Sequence, residues 1–403
     1  MSVRMSDVAA RAGVSPQTVS RVMRGERWVA LETVARVRQA IAELGYHGNA
    51  AAGALKRGQT RTLGLLFPML ATTFASFWSD VAAGAETLAH QHGYALLLCD
   101  TSDSTDKEAA YVSLLLSHRV AGIVYAQPRL RADLHPTCAG LLASTIPVVV
   151  ISSDEQDLPY THVRTDDERA GYVAVRHLRD IGRQRIAIIA ESALDGEPGH
   201  PSKPAYDRVM GARRALLELG LDADEAPVIL APNTMEAGRR AVALLSDDGG
   251  SLPDGIFVAT EVLALGLLDA LRSRDARVPE DVAIVAHDGL LASAVSVPSL
   301  TTIAPPRADM GRTCIDLLVR AGRGEALPPL CLLEAAFIVR ESTAGAGRVP
   351  RQGLRAPLSA PDAWFRWRTT ARTADLPDGE IPVVRLPLGQ VAMDRWQVTG
   401  ERR

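Results

Sequence analysis

Gln17, Ser20 and Arg21 place an amide, a hydroxyl and a guanidinium on one face of a predicted helix. An amide can bond adenine through two hydrogen bonds, a guanidinium can do the same with guanine, and a hydroxyl can bond a base or a phosphate. This face therefore has the chemistry that reading a major groove requires. An alternative stays open, because exposed helices often carry such residues and many three-helix bundles bind only protein.

Two short helices across a tight turn are predicted to hold that face. Gly13 takes a positive φ at little cost, and Ser15 is a good N-cap for a second helix that begins at Pro16. Three residues of the second helix are expected to face inward, Val19, Val22 and Met23. A third helix follows, with apolar residues at near-helical spacing, Val34, Val37, Ile41 and Leu44. Three such helices bury one small core and leave the second free to enter a groove.

The charge distribution favours nucleic acid as the partner of this segment. Residues 1–62 hold ten Lys or Arg against four acidic residues, whereas the whole chain has a formal charge of −3. A basic segment on an acidic protein is what binding to phosphates predicts.

The segment resembles the lactose-repressor (LacI) family of bacterial transcription regulators. The resemblance is carried by Asp7-Val8-Ala9, Ala12-Gly13-Val14-Ser15, Thr18-Val19-Ser20-Arg21-Val22, Ala42-Glu43-Leu44-Gly45-Tyr46, Asn49, Leu55-Lys56 and Thr62-Leu63-Gly64. It resumes at Val339-Arg340-Glu341-Ser342-Thr343, which looks like the family's closing strand, and so spans residues 1 to about 345.

The resemblance implies a helix-turn-helix DNA-binding domain over 1–47 and a hinge segment over 48–61 that folds into a short helix on operator DNA. Leu55 would be an apolar wedge in the minor groove, with Ala52 beside it. Gly53 favours the alternative of a flexible linker. The DNA-binding residues predicted from the helix face and the resemblance are Ser15, Pro16, Gln17, Thr18, Ser20, Arg21, Arg24, Tyr46, Asn49, Ala52, Leu55 and Lys56.

Cysteine spacing, apolar stretches and enzyme motifs limit the other classes of protein to which the chain can belong. Four cysteines without a C-x-x-C pair fit reduced core thiols better than disulfides or a zinc site, and no metal or cofactor is predicted. Met1–Ala12 has no apolar core of a secretion signal, and the longest apolar stretch, Leu141–Ile151, is too short to cross a bilayer. The sequence predicts a cytoplasmic protein with no membrane partner. No motif of an enzyme appears in a strand-to-helix setting.

From Thr62 onward, short apolar runs alternate with amphipathic helices, which predicts parallel sheets. The predicted strands are Leu63–Phe67, Tyr94–Cys99, Gly122–Tyr125, Pro147–Ile151, Arg185–Ile189, Val228–Leu230, Gly255–Val258 and Val282–Val285, with helices near 76–91, 105–118, 166–181, 205–219, 234–246, 260–273 and 308–321. A second unit is expected from Thr165-Asp166, with a return to the first near Pro298–Ile303. Residues 62–345 thus look like the α/β two-lobed core of periplasmic-binding proteins, which the family shares and uses for effector binding and dimerisation.

Ligands of such folds bind at the carboxyl ends of strands. The resemblance assigns Arg208 and the strand-end Asp288 to an effector site, and this pair suits a polyol or a sugar acid. Phe77 and Trp78 would form an apolar wall, while Thr260 and Ser152 occupy slots where the family often has Asn and Asp.

A purely structural role of each of these residues stays open as an alternative. Phe77 or Trp78 can be core, Arg208 an ion-pairing residue beside Asp207, and Asp288 a turn residue before Gly289. His287 replaces the usual Phe or Tyr of the family. Asp166-Asp167 looks like a carboxylate dyad, but helix capping explains it more simply.

The C-terminal extension, 346–403, lies outside the resemblance and has uncertain structure. It holds six prolines, three of the five tryptophans and no leucine heptad that would form a tetramerising coiled coil. A partly disordered tail is one interpretation. The strand-like content of Glu380–Leu388 favours the other, a segment that docks on the core or on a partner.

These expectations combine into a sequence-specific transcription regulator, a repressor, that binds pseudo-palindromic double-stranded operator DNA as a homodimer. A small effector, a sugar or sugar derivative, would control its operator affinity from between the two core lobes. The alternative is a solute-binding protein without a regulatory role.

Overall fold

The computed structural model describes residues 3–23, 28–46, 60–68, 75–102, 104–126, 140–151, 159–192, 201–221, 226–246, 251–344 and the strand at 384–387. The chain divides into two compact units, Met1–Arg61 and Thr62–Arg403. No helix of the described ranges combines the length and apolar character that a bilayer crossing requires.

The first unit contains three helices, α1 (Met5–Ala12), α2 (Pro16–Met23) and α3 (Leu31–Leu44). The predicted turn is confirmed, because Gly13 has φ +63° and the Thr18 amide donates to Ser15 Oγ at 3.1 Å. Val19 and Val22 are buried in the small core, whereas Met23 is 43% exposed. The expectation that Met23 faces inward is therefore wrong: the small core is filled by the valines and by residues of α1 and α3.

In the second unit, the first sheet has six parallel strands in the order β11-β5-β4-β3-β1-β2. These strands are β1 (Thr62–Phe67), β2 (Ala95–Asp100), β3 (Gly122–Ala126), β4 (Val148–Ile151), β5 (Thr161–Thr165) and β11 (Leu330–Leu333). The helices of this lobe are α4 (Ala75–Gln91), α5 (Thr105–Ser117) and α11 (Arg307–Gly322). Apolar side chains of α4 and α11 form one core with one face of the sheet.

The second sheet has seven strands in the order β12-β10-β9-β8-β6-β7-β13. Its strands are β6 (Ile186–Glu191), β7 (Pro227–Ala231), β8 (Gly255–Val258), β9 (Ala283–His287), β10 (Thr301–Ala304), β12 (Ala336–Ile338) and β13 (Val384–Pro387). The associated helices are α6 (Asp167–Asp180), α7 (Lys203–Glu218), α8 (Met235–Ser246), α9 (Glu261–Arg272), α10 (Leu291–Val295) and α12 (Glu341–Ala344). Only the outer strands β12 and β13 pair antiparallel among the strands described in this sheet.

The lobe crossings differ in part from the prediction. The first crossing is confirmed, since β5 ends at Thr165 and α6 begins at Asp167. The predicted return near Pro298–Ile303 is wrong, because β10 (Thr301–Ala304) still pairs with β9 and the chain returns only at α11. β10 has two threonines in a four-residue strand, so its apolar signal is weak.

The predicted closing strand at Val339–Thr343 is also wrong. β12 ends at Ile338, and Glu341–Ala344 forms a short helix. The Ser342 hydroxyl donates to the Ile284 carbonyl at 2.7 Å and accepts from the Thr301 amide at 2.8 Å. These side-chain bonds replace the ladder that a strand would make there.

The C-terminal extension contributes one described strand. The backbone of β13 pairs antiparallel with β7, with Val384 opposite Leu230 and Pro387 opposite Pro227. This strand lies within Glu380–Leu388, where the sequence indicated strand-like content. The other residues of 346–403 lie outside the described part of the chain.

Two glycines set the separation of α6 and α7. A Cβ at Gly171 would overlap the Arg208 carbonyl oxygen, and a Cβ at Gly211 would overlap the Glu168 carbonyl oxygen. The two helices therefore approach backbone to backbone. This approach brings the first turn of α6 close to the side chains of α7.

We expect Gly211→Ala to force α6 and α7 apart and to cost about 2–3 kcal/mol through overpacking. Gly322→Ala is the matched control, because a Cβ at that helical position meets nothing within 4 Å. Thermal unfolding gives the Tm of both variants, and the Tm should fall only for Gly211→Ala. Equal Tm values for the two variants would contradict the close helix approach.

Candidate functional site

The outward face of α2 lies where the sequence predicted it. Pro16, Gln17 and Arg21 are exposed, and Thr18 and Ser20 are half-buried. Val19 and Val22 on the opposite side fix the rotation of the helix by packing against α1 and α3. An amide and a guanidinium therefore face solvent from a rigid helix, as major-groove contact requires.

An ion pair ties α1 to α3 within the first unit. Arg11 Nε donates to Glu43 Oε2 at 2.8 Å, and Gln39 Nε2 donates to Glu43 Oε1 at 2.9 Å. The hydrogen bonds from Gln39 and Arg11 lower the pKa of the Glu43 carboxyl. Arg11 thus has a structural partner within the first unit.

Of the predicted DNA-binding residues beyond α2 and its cap, the structure describes Tyr46. Tyr46 is 7% exposed and packs in the core of the first unit, and its DNA contact stays a prediction. The residues that lie outside the described part of the chain are Arg24, Asn49, Ala52, Leu55, Lys56 and Ser152.

Arg208 is the centre of a charge cluster at the carboxyl ends of the second sheet. It is 8% exposed, Nε donates to Asp167 Oδ1 at 2.8 Å, and Nη1 donates to the Ala259 carbonyl at 2.8 Å. Burial alone would lower the pKa of Arg208, but Asp167, Glu191 and Asp288 together raise it. The guanidinium is therefore permanently charged and fixed in direction. Its predicted neighbour Asp207 instead pairs with Lys203, at 2.5 Å.

The sequence interpretation of Asp166-Asp167 holds for only one residue. Asp166 caps α6, since its Oδ1 accepts from the Arg169 amide at 2.9 Å. Asp167 instead turns its carboxylate to Arg208.

Glu191 is a cluster member that sequence reasoning missed. It ends β6, its side chain is 13% exposed, and its Oε1 lies 3.8 Å from Arg208 Nη1. The Ser202 hydroxyl donates to the same oxygen at 2.8 Å. Burial raises the pKa of Glu191 to about 7, which the attraction of Arg208 and the Ser202 bond only partly oppose. The signal was present as an acidic residue directly after a buried strand.

Asp288 lies in the cluster, but its carboxylate is already engaged. Its Oδ2 accepts from the Glu261 amide at 3.2 Å, and its Oδ1 lies 3.0 Å from His287 Nδ1. It therefore starts α9 and orients His287. Its role as a direct effector ligand stays a prediction.

His287 is 1% exposed, and burial followed by the charge of Arg208 lowers its pKa. The neutral imidazole turns Nε2 toward Asp167, at 3.9 Å from Oδ1. His287 takes the slot where the resemblance expected an aromatic residue.

The other predicted effector residues differ in their surroundings. Thr260 is 2% exposed and donates its hydroxyl to Asn233 Oδ1 at 2.8 Å. Trp78 belongs to the core of the first lobe, in an edge-to-face contact with Phe77 at 5.0 Å between centroids. Phe77 is the more accessible ring of the two, being half-buried. Effector contact by these residues stays a prediction.

Arg307 joins the two lobes beside this cluster. From the first residue of α11, its Nε donates to Asp80 on α4 at 2.9 Å, Nη2 donates to the Gly289 carbonyl at 3.2 Å, and Nη1 donates to the Asp288 carbonyl. The carbonyls belong to a loop with positive φ at Asp288 (+103°) and Gly289 (+62°). A non-glycine residue in this region is strained, so the neighbouring contacts must hold it.

Glu261 holds the same loop from α9. Its carboxylate accepts from the Leu290 and Ser293 amides at 2.6 and 2.8 Å. Burial raises the pKa of Glu261 to about 7. Among the described residues, no group of three or more metal-ligating side chains has the arrangement of a metal site.

Comparisons with known proteins agree with this layout. Residues 4–49 match the family described as bacterial regulatory proteins, lacI family, and residues 175–343 match a periplasmic binding protein-like domain. The HTH-type transcriptional regulator DegA of Bacillus subtilis is 31% identical over 345 residues, which are 85% of this chain and 98% of the relative. The catabolite control protein A of Priestia megaterium is 31% identical over 320 residues, which are 79% of this chain and 92% of the relative.

Solved structures are similar over the same range. The Lac repressor dimer bound to operator and an anti-inducer aligns with a TM-score of 0.74 at 26% identity, covering 85% of this chain and 99% of that chain. The transcriptional regulator CelR in complex with cellobiose aligns with a TM-score of 0.60 at 28% identity, covering 84% of this chain and 99% of that chain.

The raised pKa of Glu191 predicts a pH-dependent stability. Between about pH 4.5 and pH 7 the unfolded chain releases this proton while the folded chain keeps it, so stability falls as pH rises. Glu191→Gln lacks this titrating carboxyl. Relative to that variant, the free energy of unfolding of the wild type should fall by up to about 3 kcal/mol between pH 5 and pH 8. Tm values at both pH values measure this, with the exposed Glu236→Gln as control. Parallel Tm profiles for wild type and Glu191→Gln would refute it.

The contacts of Arg307 predict a local effect of its removal. Arg307→Gln should speed amide hydrogen exchange in residues 288–293 and 77–81, because both segments lose the same guanidinium. Arg312→Gln, on the same helix and paired only with Asp309 among its described ion pairs, is the control. If the two variants exchange alike, Arg307 does not hold the loop.

Proposed function

Because the chain belongs to the lacI family of bacterial regulatory proteins, we infer that it is a sequence-specific DNA-binding transcription regulator, a repressor controlled by a small molecule. The observation that carries this inference is the exposed amide and guanidinium of Gln17 and Arg21 on a helix anchored by Val19 and Val22. The relatives named above are transcriptional regulators, and the chain is not proposed to be an enzyme. It would act in the cytoplasm, where bacterial DNA lies.

On the DNA side, α2 would enter a major groove. Gln17 and Arg21 would contact base edges, and Ser15, Pro16, Thr18, Ser20 and Arg24 would flank them on bases or phosphates. The hinge residues Asn49, Ala52, Leu55 and Lys56 would contact the minor groove, with Leu55 as the wedge. Phosphate contacts by the basic segment would supply much of the affinity.

On the effector side, the cluster around Arg208 would bind the small molecule. Its donors and acceptors converge at the carboxyl ends of β6, β8 and β9, where ligands of parallel sheets bind. The similar regulator CelR was solved with cellobiose, which supports a sugar or sugar derivative here. Phe77 would contribute an apolar wall from the first lobe.

A homodimer would present two copies of α2 to a pseudo-palindromic operator. Two exposed apolar patches suit its interface. One lies on the edge strand β2 and on α5, where Leu97, Leu98 and Leu114 are 39%, 51% and 45% exposed. The other surrounds α10, where Leu291, Val295 and Val297 are 77%, 71% and 85% exposed.

The test of DNA binding starts with duplexes selected by the full chain from a random library. We expect affinity for the selected duplex to fall steeply with salt, because phosphate contacts release counterions. Arg21→Ala should weaken binding by about 5- to 150-fold and relax one base position.

Arg312→Ala, in the core unit, is the matched control and should bind as the wild type does. Salt-independent binding, or equal losses for the two arginine variants, would rule out α2 as the reading helix.

A further inference from the structure

The charge cluster at the strand ends contains more carboxylates than cations. Asp167, Glu191 and Asp288 all act on the single guanidinium of Arg208. The nearby Lys203 is bound by Asp207, so it does not offset them. Three carboxylates therefore share the buried guanidinium of Arg208.

The three carboxylates are not equally satisfied. Asp167 accepts directly from Arg208, and Asp288 has a partner on each oxygen. Glu191 has the Ser202 hydroxyl on Oε1, and Arg208 Nη1 lies beyond hydrogen-bond distance at 3.8 Å. Its Oε2 is buried and has no hydrogen-bond partner among the described residues. Glu191 is thus the least satisfied of the three carboxylates.

A second unpaired atom lies in the same cluster. His287 Nε2 is buried, with a side chain only 1% exposed, and has no hydrogen-bond partner within the described ranges. Buried polar atoms are rarely left unpaired, so two of them at the strand ends indicate that a bound molecule supplies their partners. One of these atoms belongs to a carboxylate and the other to a neutral imidazole.

We propose that the effector is a small hydroxylated amine, such as a hexosamine, whose amino group binds Glu191. An ammonium adds a second cation beside Glu191 and donates to Oε2 in a charge-assisted bond. Its hydroxyls satisfy His287 Nε2 and the remaining cluster atoms. A neutral sugar satisfies the hydrogen bonds but brings no cation to Glu191, and a sugar acid brings a further carboxylate.

This inference rests on the proposed function, which places the effector at this cluster, and it narrows the ligand class. It also favours an amine over the sugar acids that the Arg208–Asp288 pair suggested from sequence alone. Glu191 becomes the residue that sets specificity.

The experiment titrates the full chain by calorimetry near pH 7.5 with hexosamines, neutral hexoses and hexuronic acids of matched gluco, galacto and manno configuration. One hexosamine should bind at least about tenfold more tightly than its neutral counterpart, and its uronic acid should bind more weakly than either. This ranking needs no variant.

Glu191→Gln keeps the shape of the side chain and removes its charge. It should reduce the preference for the amine over the neutral hexose to under about twofold. Glu236→Gln, an exposed carboxylate on α8, should keep the full preference.

The inference is overturned if a neutral hexose or a hexuronic acid binds as tightly as the hexosamine of the same configuration, or if no hexosamine binds. It is also overturned if Glu191→Gln still prefers the hexosamine. The same protein preparation is tested on its selected duplex. DNA binding that persists without amine binding rejects this inference alone, whereas loss of DNA binding rejects the proposed function.

Discussion

The buried guanidinium of Arg208 is the interaction on which the second lobe depends. A charge at 8% exposure is tolerated only when it is paired and hydrogen-bonded, and Asp167 with the Ala259 carbonyl provides this. The pairing requires the first turn of α6 to lie against α7. That approach in turn requires glycine at 171 and 211, where side chains would collide with backbone. The close packing of α6 on α7 and the pairing of Arg208 with Asp167 therefore depend on the same two glycines.

The same cluster is connected to the first lobe through a strained loop. Asp288 turns with φ +103° so that its carboxylate reaches the start of α9 and its carbonyl faces Arg307. Arg307 also binds Asp80 on α4, so one side chain contacts both the loop at the strand ends and a helix of the other lobe. A ligand shifts such an equilibrium only if it binds one arrangement better than the other. A ligand at the strand ends would change the hydrogen bonds of the Asp288 carboxylate and those of Glu191 Oε2, which has no hydrogen-bond partner among the described residues.

The sequence predicted elements whose signals are local. The cap at Ser15, the turn at Gly13 and the strand–helix alternation from Thr62 depend on neighbouring residues, and the structure contains them. Strands without apolar runs escaped detection, such as Thr161–Thr165, because polar residues hide the pattern and one pairing partner, β11, lies far along the chain. Arg208 was identified by resemblance, but its partner Asp167 was interpreted as a cap. Glu191 was missed because its role depends on burial and on Ser202 and Arg208, which spacing does not reveal.

The most direct test of this account measures whether the Arg208 cluster controls DNA binding. Operator affinity of the full chain and of Arg208→Ala would be compared across one panel of sugars and amino sugars. The account predicts that at least one compound changes the wild-type affinity by about tenfold or more and leaves the variant unchanged, in keeping with the usual range of coupling between sites. A compound that shifts both proteins equally, or a panel of true binders that shifts neither, would contradict it.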